Sequence, residues 1–418
     1  MEKEKQIFDV AVVGGGPAGM MAAGRAGECG AKTILLEKNK IFGTKLLLTG
    51  KGRCNVTNAE FDIKKLSQQY KKSKNFLLSI FNIFGVKETI NFFEKRKLRL
   101  KTERGQRVFP VSDKAEHVLK TLFLYLRENN VIIAKNAGVH RFSIKNNEIK
   151  KIVLSNKKII YAKNTIVATG GVSYSTTGSN GDGLRWAKKM GINVKEPTPA
   201  LTPIRIKEDW IKNLQGLSLK NINITLKQNN KSIKKFGECL FTHFGLSGPL
   251  IIDLSKEIGG MLKKGEVKIS IDLKPALTHK KLDERILRDF QKYNNKILKN
   301  ALFDLLPQKL IPEIINLSKI NPDKKVTEIK KEERKIIINT IKNIELTIKS
   351  LMGFEMAIIT SGGVSLSEID QKTMKSKKIN NLYFAGEVID IDGPTGGFNL
   401  QICWSTGFIA GESAAKNI

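Results

Sequence analysis

Residues 7–13, Ile-Phe-Asp-Val-Ala-Val-Val, form a largely apolar, β-branched run of strand length, the pattern of a strand buried on both faces of a parallel sheet. The run stops at Gly14-Gly15-Gly16-Pro17-Ala18-Gly19. Residues 20–29, rich in Ala and other small side chains, predict a helix that Gly30 ends. Thr33-Ile34-Leu35-Leu36 predicts a second buried strand, closing on Glu37. Far along the chain the pattern returns: Ile166-Val167-Ala168 runs into Thr169-Gly170-Gly171, and Tyr383-Phe384-Ala385 breaks at Gly386, with a helix expected from Asn399 to Ala414. Strands alternating with helices predict an α/β fold. The middle reads differently. Beyond Pro197, Pro199 and Pro203, apolar residues alternate or cluster near 204–206, 222–226, 250–254 and 267–273, which predicts strands. Over 276–340 the period lengthens: Leu282, Ile286 and Phe290, then Ile297, Ala301 and Leu305, follow helical spacing, interrupted at Pro307 and Pro312. The expected organisation is an α/β domain begun by 1–195, a β-rich domain over 196–275, a helical insert over 276–340, and a return through both the β domain and the α/β domain over 341–418.

Spacing carries chemistry in the first segment. Gly14-x-Gly16-x-x-Gly19 lies between a strand and a helix, and Glu37 follows 18 residues beyond Gly19 at the end of the next strand. The first glycine permits a tight turn, the second lets backbone approach a pyrophosphate, and the third lets helix and strand pack closely. The helix start offers free N–H groups and the positive end of its dipole to phosphates, and a carboxylate at Glu37 can accept ribose hydroxyls. No second strand–glycine–helix–acid unit follows, so a separate nicotinamide domain is not expected. Gly178-x-x-Gly181-x-Gly183 reads as a loop entering a helix at 184–190.

Composition adds one unusual feature. The 418 residues are 41% hydrophobic, enough for an ordinary core, which excludes a disordered tail or a small disulfide scaffold. No apolar run of about 18 residues and no apolar signal core is read in the sequence, so a cytoplasmic protein without membrane association is expected. Cys29, Cys54, Cys239 and Cys403 form no Cys-x-x-Cys pair, and neither a disulfide framework nor a metal site is expected. The net charge, however, is +32. A Lys-, Ile- and Asn-rich composition of the kind an AT-rich genome favours would spread such an excess evenly. Here residues 1–50 carry a net +2 and residues 351–418 a net −2, while 51–350 hold 60 basic and 28 acidic residues. The excess avoids the ends that carry the glycine motifs.

At Leu47-Leu48-Thr49-Gly50-Lys51-Gly52-Arg53-Cys54-Asn55-Val56-Thr57-Asn58, and again at Gly386-Glu387-Val388-Ile389-Asp390-Ile391-Asp392-Gly393-Pro394-Thr395-Gly396-Gly397-Phe398-Asn399-Leu400-Gln401, the chain closely resembles the BaiN-like (YhiN-like) flavoproteins. Segments 237–249 and 360–364 extend the resemblance over nearly the whole length. It implies a Rossmann-like FAD domain of the glutathione-reductase type carrying an inserted β domain and a helical subdomain, with NAD(P)H as transient electron donor. The family includes aminoacetone oxidases, bile-acid and steroid double-bond reductases, and a ribosomal RNA dihydrouridine synthase. Fold follows from such a resemblance more securely than reaction.

Around FAD the candidate contacts group by loop. Gly14, Gly16, Ala18, Gly19, Glu37 and Lys38 belong to the first. Lys45, Gly52, Arg53, Cys54 and Asn55 belong to the second, where glycines admit backbone beside the flavin ring and the cations can neutralise pyrophosphate or reduced-flavin charge. Thr169 and Gly170 end a strand passing beneath the cofactor. In the last segment, Glu387 or Asp390 is placed to hold ribityl hydroxyls, and Gly386, Gly396, Gly397, Phe398, Asn399 and Gln401 surround a helix start able to bond the flavin pyrimidine edge. By resemblance, Val139 contacts the adenine through its backbone.

Reducing a conjugated C=C needs a proton as well as a hydride. Cys54, beside Arg53, and His243, read as lying in an apolar strand, are the candidate acids; for each, a packing role is the plainer alternative. His117 and His140 are assigned no chemistry. Two substrate classes stay open: uridine in 23S ribosomal RNA, free or in a partly assembled large subunit, and a small steroid enone or amino ketone. A third reading is a flavin-containing nucleic-acid-binding protein or redox sensor. The charge favours RNA, because Lys71, Lys72 and Lys74, with Lys95, Arg96, Lys97 and Arg99, suit phosphate contact, and Tyr70, Phe92 and Phe93 lie nearby in sequence.

Overall fold

A computed structural model describes residues 6–418, and the chain separates into two units, Met1–Pro199 with Phe354–Ile418, and Ala200–Gly353. In the first, the strand Ile7–Val13 lies parallel between Thr33–Leu36 and Ile159–Val167. The sheet extends outward through Ile132–Ala134 on one side, and through Glu148–Leu154 and Val139–Lys145 on the other. Ile159–Val167 serves further neighbours: its start pairs antiparallel with Glu148–Leu154, and its end pairs parallel with Leu382–Phe384, Ile166 opposite Tyr383. Val10, Val12, Leu35, Ile166 and Tyr383 are fully buried, which is why these strands read as unbroken apolar runs.

The helices Pro17–Glu28 and Phe398–Lys416 join the ends of the chain. A Cβ on Gly407 would lie 2.5 Å from the Ala18 carbonyl oxygen, and one on Gly411 would lie 2.3 Å from that of Ala22. Glycine against alanine lets the two backbones touch, and a larger side chain at either glycine would force them apart.

One expectation on apolar runs needs correction. Lys71–Lys95 is long and apolar enough, by length and composition, to cross a membrane. The structure breaks it at Phe84-Gly85 into the helices Lys74–Ile83 and Val86–Lys95, whose Phe76, Leu77, Ile80, Phe81, Phe92 and Phe93 enter the core of the unit. Phe92 and Phe93 are therefore packing residues and present no face to a nucleobase. Tyr70 is likewise buried, its hydroxyl donating to the Phe398 carbonyl at 2.9 Å.

The Ala200–Gly353 unit is a closed barrel ordered Ile204–Ile206, Gly245–Ser247, Lys231–Thr242, Ser218–Gln228, Val267–Asp272 and Ile344–Leu351. Ile222, Ile224 and Leu226 alternate inward to meet Ile269, Ile271, Leu346 and Ile348. Residues 250–254, read as a strand, belong instead to the helix Pro249–Leu262. Proline occupies its first turn, and the buried Leu250, Ile251, Leu254, Ile258 and Met261 recur at helical spacing, a period that a five-residue window conceals. Of the strand Lys231–Thr242 only the apolar end near His243 was read from the sequence, because Lys231, Lys234 and Lys235 obscure the alternation before it. Helices His279–Lys292, Ile311–Ser318 and Lys331–Lys342 bury Leu282, Ile286, Ile314, Ile315, Ile337 and Ile341.

Candidate FAD site

The first glycine loop divides its tasks. Gly14 adopts φ +110°, and a Cβ there would lie 2.6 Å from the Ala168 carbonyl oxygen; a Cβ on Gly19 would lie 1.8 Å from the oxygen of Gly14. These two glycines close the strand against the helix. Around Gly16, by contrast, a Cβ would meet nothing within 4 Å. The protein's own packing does not demand glycine there, whereas an approaching pyrophosphate would. Ala18, in the first turn of the helix, packs on Gly386, where an added Cβ would lie 2.6 Å from that of Ala18.

Glu37 is only 9% exposed, and it accepts the Gly15 N–H at 2.7 Å and the Asn39 N–H at 2.8 Å. Each carboxylate oxygen keeps capacity for a ribose hydroxyl. Lys38 turns to Asp182, 2.8 Å away. The Ala137 N–H bonds the Glu37 carbonyl at 2.8 Å, which sets the start of the strand Val139–Lys145 beside the end of the second strand. Thr169 and Gly170 follow Ile159–Val167, Gly170 at φ +73°.

In the second loop Gly50, Lys51, Gly52 and Cys54 all take positive φ, of 57°, 58°, 83° and 60°. Arg53 anchors it: Nε donates to Asp113 Oδ1 at 2.8 Å, a terminal nitrogen reaches Glu103, and the guanidinium lies 4.1 Å over the Phe109 ring. Lys101 joins Asp113 at 2.6 Å. The Arg53 hydrogen bond holds Glu103 below the usual carboxylate range, and Lys101, then Arg53, do the same for Asp113. The charge of Arg53 is thus shared with two carboxylates, Glu103 and Asp113. Cys54 is fully buried, and desolvation pushes its thiol up to about 12. That is the setting of a packed thiol that keeps its proton at neutral pH.

Lys45 is also engaged. Its ammonium contacts Glu387 at 2.7 Å and donates to Ser173 Oγ at 2.6 Å, and Ser173 donates to the other Glu387 oxygen at 3.0 Å. The Thr360 N–H reaches that same oxygen at 2.8 Å, while Thr360 Oγ1 accepts the Val172 N–H at 2.8 Å. Ser173 and Thr360 were assigned no role from the sequence. Their only signal is a hydroxyl beside glycine pairs, and no spacing links either to Glu387. Asp390 pairs with Lys195 at 2.6 Å.

The last loop presses on the second. A Cβ on Gly397 would lie 2.3 Å from the Thr57 carbonyl, and Gly396 takes φ +113°. Asn399 clasps the loop, its Oδ1 accepting the Gly393 N–H at 2.9 Å and its Nδ2 donating to the Gly393 carbonyl at 3.0 Å. Phe398 is buried edge-on against Tyr70. Gln401 departs from expectation: it is fully buried, accepts from Thr57 Oγ1 at 2.6 Å, and donates to Thr89 and Ser405 hydroxyls at 2.9 Å each. Its amide is spent inside the protein.

His243 lies exposed in the turn after Lys231–Thr242, edge-on to Phe244 at 4.9 Å, and not in an apolar strand. It belongs to the Ala200–Gly353 unit, whereas every glycine loop above belongs to the other. Of the expected RNA contacts, Lys72, Lys74, Lys95, Lys97 and Arg99 are exposed and form no ion pair among the described residues; Lys71 is exposed as well. Arg96 differs: it pairs with Glu128 at 3.1 Å and lies over Phe92 and Tyr125 at 4.4 and 4.3 Å, so packing occupies it. Residues 51–199 carry thirty basic and eleven acidic residues and residues 200–353 thirty and seventeen, so the excess is greater in the glycine-loop unit.

The fit to FAD rests on three observations: the open space at Gly16, the spare capacity of Glu37, and two buried side-chain oxygens, Asn55 Oδ1 and Thr169 Oγ1, that have no partner among the described residues. Folded chains leave few such groups unsatisfied, and a flavin dinucleotide supplies polar partners for them. Fold and site together define a Rossmann-type FAD-dependent oxidoreductase. Residues 8–413 match the HI0933-like protein Rossmann domain, and the chain belongs to that family.

Among curated relatives, the 3-dehydro-bile acid delta(4,6)-reductase of Clostridium scindens is 30% identical over 410 residues, covering 97% of this chain and 99% of that one. The ribosomal RNA dihydrouridine synthase of Escherichia coli is 27% identical over 412 residues, 98% and 99% of the two chains. That of Haemophilus influenzae is 30% identical over 420 residues, again 98% and 99%. Among solved structures, the 3-ketosteroid-delta4-(5alpha)-dehydrogenase of Rhodococcus jostii RHA1 superposes with a TM-score of 0.54 at 15% identity, covering 99% of this chain and 98% of that one, a likeness of fold.

Proposed function

We propose that the protein uses NAD(P)H to reduce a C=C bond by way of FAD, and that its substrate is a uridine of large-subunit ribosomal RNA. Uridine, NAD(P)H and one proton give dihydrouridine and NAD(P)+: hydride adds to one carbon of the C5=C6 bond and a proton to the other. Bound FAD supplies the two-electron carrier. Gly14, Gly16 and Gly19 with the following helix start would hold its pyrophosphate, Glu37 its ribose, and the Lys45–Ser173–Glu387 group a fixed polar wall at the second and last loops.

Relatives named for RNA and for bile acids are about equally similar, so identity does not choose between them. The observation that carries the RNA reading is the segregated charge: 60 basic against 28 acidic residues over 51–350, with near-neutral ends. A polyphosphate substrate makes use of such a surface, and a small neutral enone does not. The target base would leave its stack to reach the flavin.

Mass spectrometry of ribosomal RNA from cells with and without the gene is the test. Loss of dihydrouridine in the deletion is expected, and an unchanged content would overturn the reading. The small-molecule alternative predicts no RNA binding at moderate salt. Cys54→Ala is expected to retain flavin and substrate reduction, because the thiol is fully buried as a packing group; loss of turnover with flavin still bound would return Cys54 to the part of the acid.

A further inference from the structure

We propose that a cavity of about 410 Å³ in the helical part of the Ala200–Gly353 unit binds a nucleotide of single-stranded RNA, its base stacked on Phe303 and its phosphate paired with Lys296. This site deepens the RNA reading above and rests on it. Lys296, Lys299, Asn300, Phe303, Gln308 and Ile311 line the cavity, whose volume falls in the range of small-ligand pockets.

Three features point to a nucleotide. Phe303 is 43% exposed, and its ring centroid lies 4.8 Å from that of Tyr293, so two aromatic residues sit together at the surface of a charged unit. Lys296 is held by those rings alone, its ammonium 4.6 Å from Tyr293 and 4.8 Å from Phe303, with no carboxylate partner among the described residues. Its neighbours differ: Lys292 pairs with Asp304 at 2.8 Å and Lys299 with Asp323 at 2.7 Å. Finally, the exposed side-chain amides of Asn300 and Gln308 make no hydrogen bond among the described residues, and they offer both donors and acceptors to a base edge.

An aromatic side chain, a cation with no carboxylate partner and free amides around one cavity are what an unpaired base with its phosphate needs. A base-paired duplex cannot present a π-face to such a site. A nicotinamide dinucleotide fits less well, because no glycine turn lines the cavity to receive a pyrophosphate.

The test is binding of a short fluorescein-labelled oligouridine to the FAD-loaded full-length protein across a salt series. Phe303→Ala is expected to weaken binding about tenfold, and Phe303→Trp to preserve it. Lys296→Ala is expected to lower the magnitude of the slope of log K against log salt by about 0.7. Unchanged flavin absorbance and unfolding midpoint confirm that each variant is folded. Wild-type binding that both Ala variants match would overturn the site, and gene-dependent dihydrouridine would then leave the RNA substrate standing. Weakening in the variants without gene-dependent dihydrouridine would support the site and sink that substrate. No binding by the wild type, or variants that lose NAD(P)H affinity in place of oligouridine affinity, would also overturn the proposal.

Discussion

In the 14–19 loop, glycine is dictated by immediate neighbours: at Gly14 and Gly19 any side chain collides with backbone, and at Gly16 the space is left for a ligand. In the 50–54 loop, Lys51 and Cys54 take left-handed conformations although neither is glycine, at a strain of roughly 1–2 kcal/mol each. What holds them is remote: Arg53 gripped by Glu103 and Asp113, and Cys54 buried. One loop is shaped by backbone packed against it, its own at Gly19 and that of Ala168 at Gly14, the other by side chains fifty or more residues away. The first needs backbone contact with the residue that follows Ile159–Val167; the second needs its side-chain anchors Glu103 and Asp113.

Gly19→Ala should have the largest effect, a loss of about 3 kcal/mol in urea unfolding together with loss of bound FAD, because the clash is with backbone that cannot move aside. Stability within about 0.5 kcal/mol of the wild type would show that the loop can relax and would erase the contrast. Gly16→Ala sharpens it from the other side: unfolding of the apoprotein should be unchanged while FAD binds about tenfold more weakly, a difference of about 1.4 kcal/mol. Undiminished flavin affinity there would mean that the open space is not the pyrophosphate path. Arg53→Ala should lower the urea midpoint only slightly, since its ion pairs are partly solvated, and should speed amide exchange in 50–54 but not in 14–19. Acid should act most weakly. Glu103 and Asp113 have folded values below their ordinary 4.5 and 3.8, so their contribution is complete above that range and fades as pH falls through the lower folded values. The urea midpoint should therefore decline below about pH 4 in the wild type and less so in Arg53→Ala; equal declines would remove the charge cluster as the anchor.

The same distinction explains what was legible in the sequence. Strand, glycine spacing, helix and Glu37 are local, so the first loop and its ligand class could be read from about thirty residues. Resemblance supplied the last loop and the flavin. The fates of Arg53, Gln401 and Arg96 could not be read, because each is settled by a partner distant in sequence: Glu103 and Asp113, Thr89 and Thr57, and Glu128. The helix Pro249–Leu262 was misread because Leu250, Ile251, Ile252 and Leu254 cluster as apolar residues in either secondary structure, and only Ile258 and Met261 reveal the period. Exposed lysines were legible as a sum but not singly, since a count cannot tell Lys296, held by two rings, from Lys292, neutralised by Asp304.

The contact of Gly407 and Gly411 with Ala18 and Ala22 bears on how the chain is made. A ribosome releases the first strand, glycine loop and helix before the whole Ala200–Gly353 stretch, and the strand Leu382–Phe384 and the partner helix Phe398–Lys416 only after it. The barrel unit, drawn from the uninterrupted stretch Ala200–Gly353, has its whole core available earlier. Until Phe398–Lys416 is made, the Pro17–Glu28 helix therefore has an uncovered alanine stripe awaiting its glycine counterpart. A chain interrupted before Phe398 would leave that helix uncovered permanently, with the cradle for the cofactor never closed.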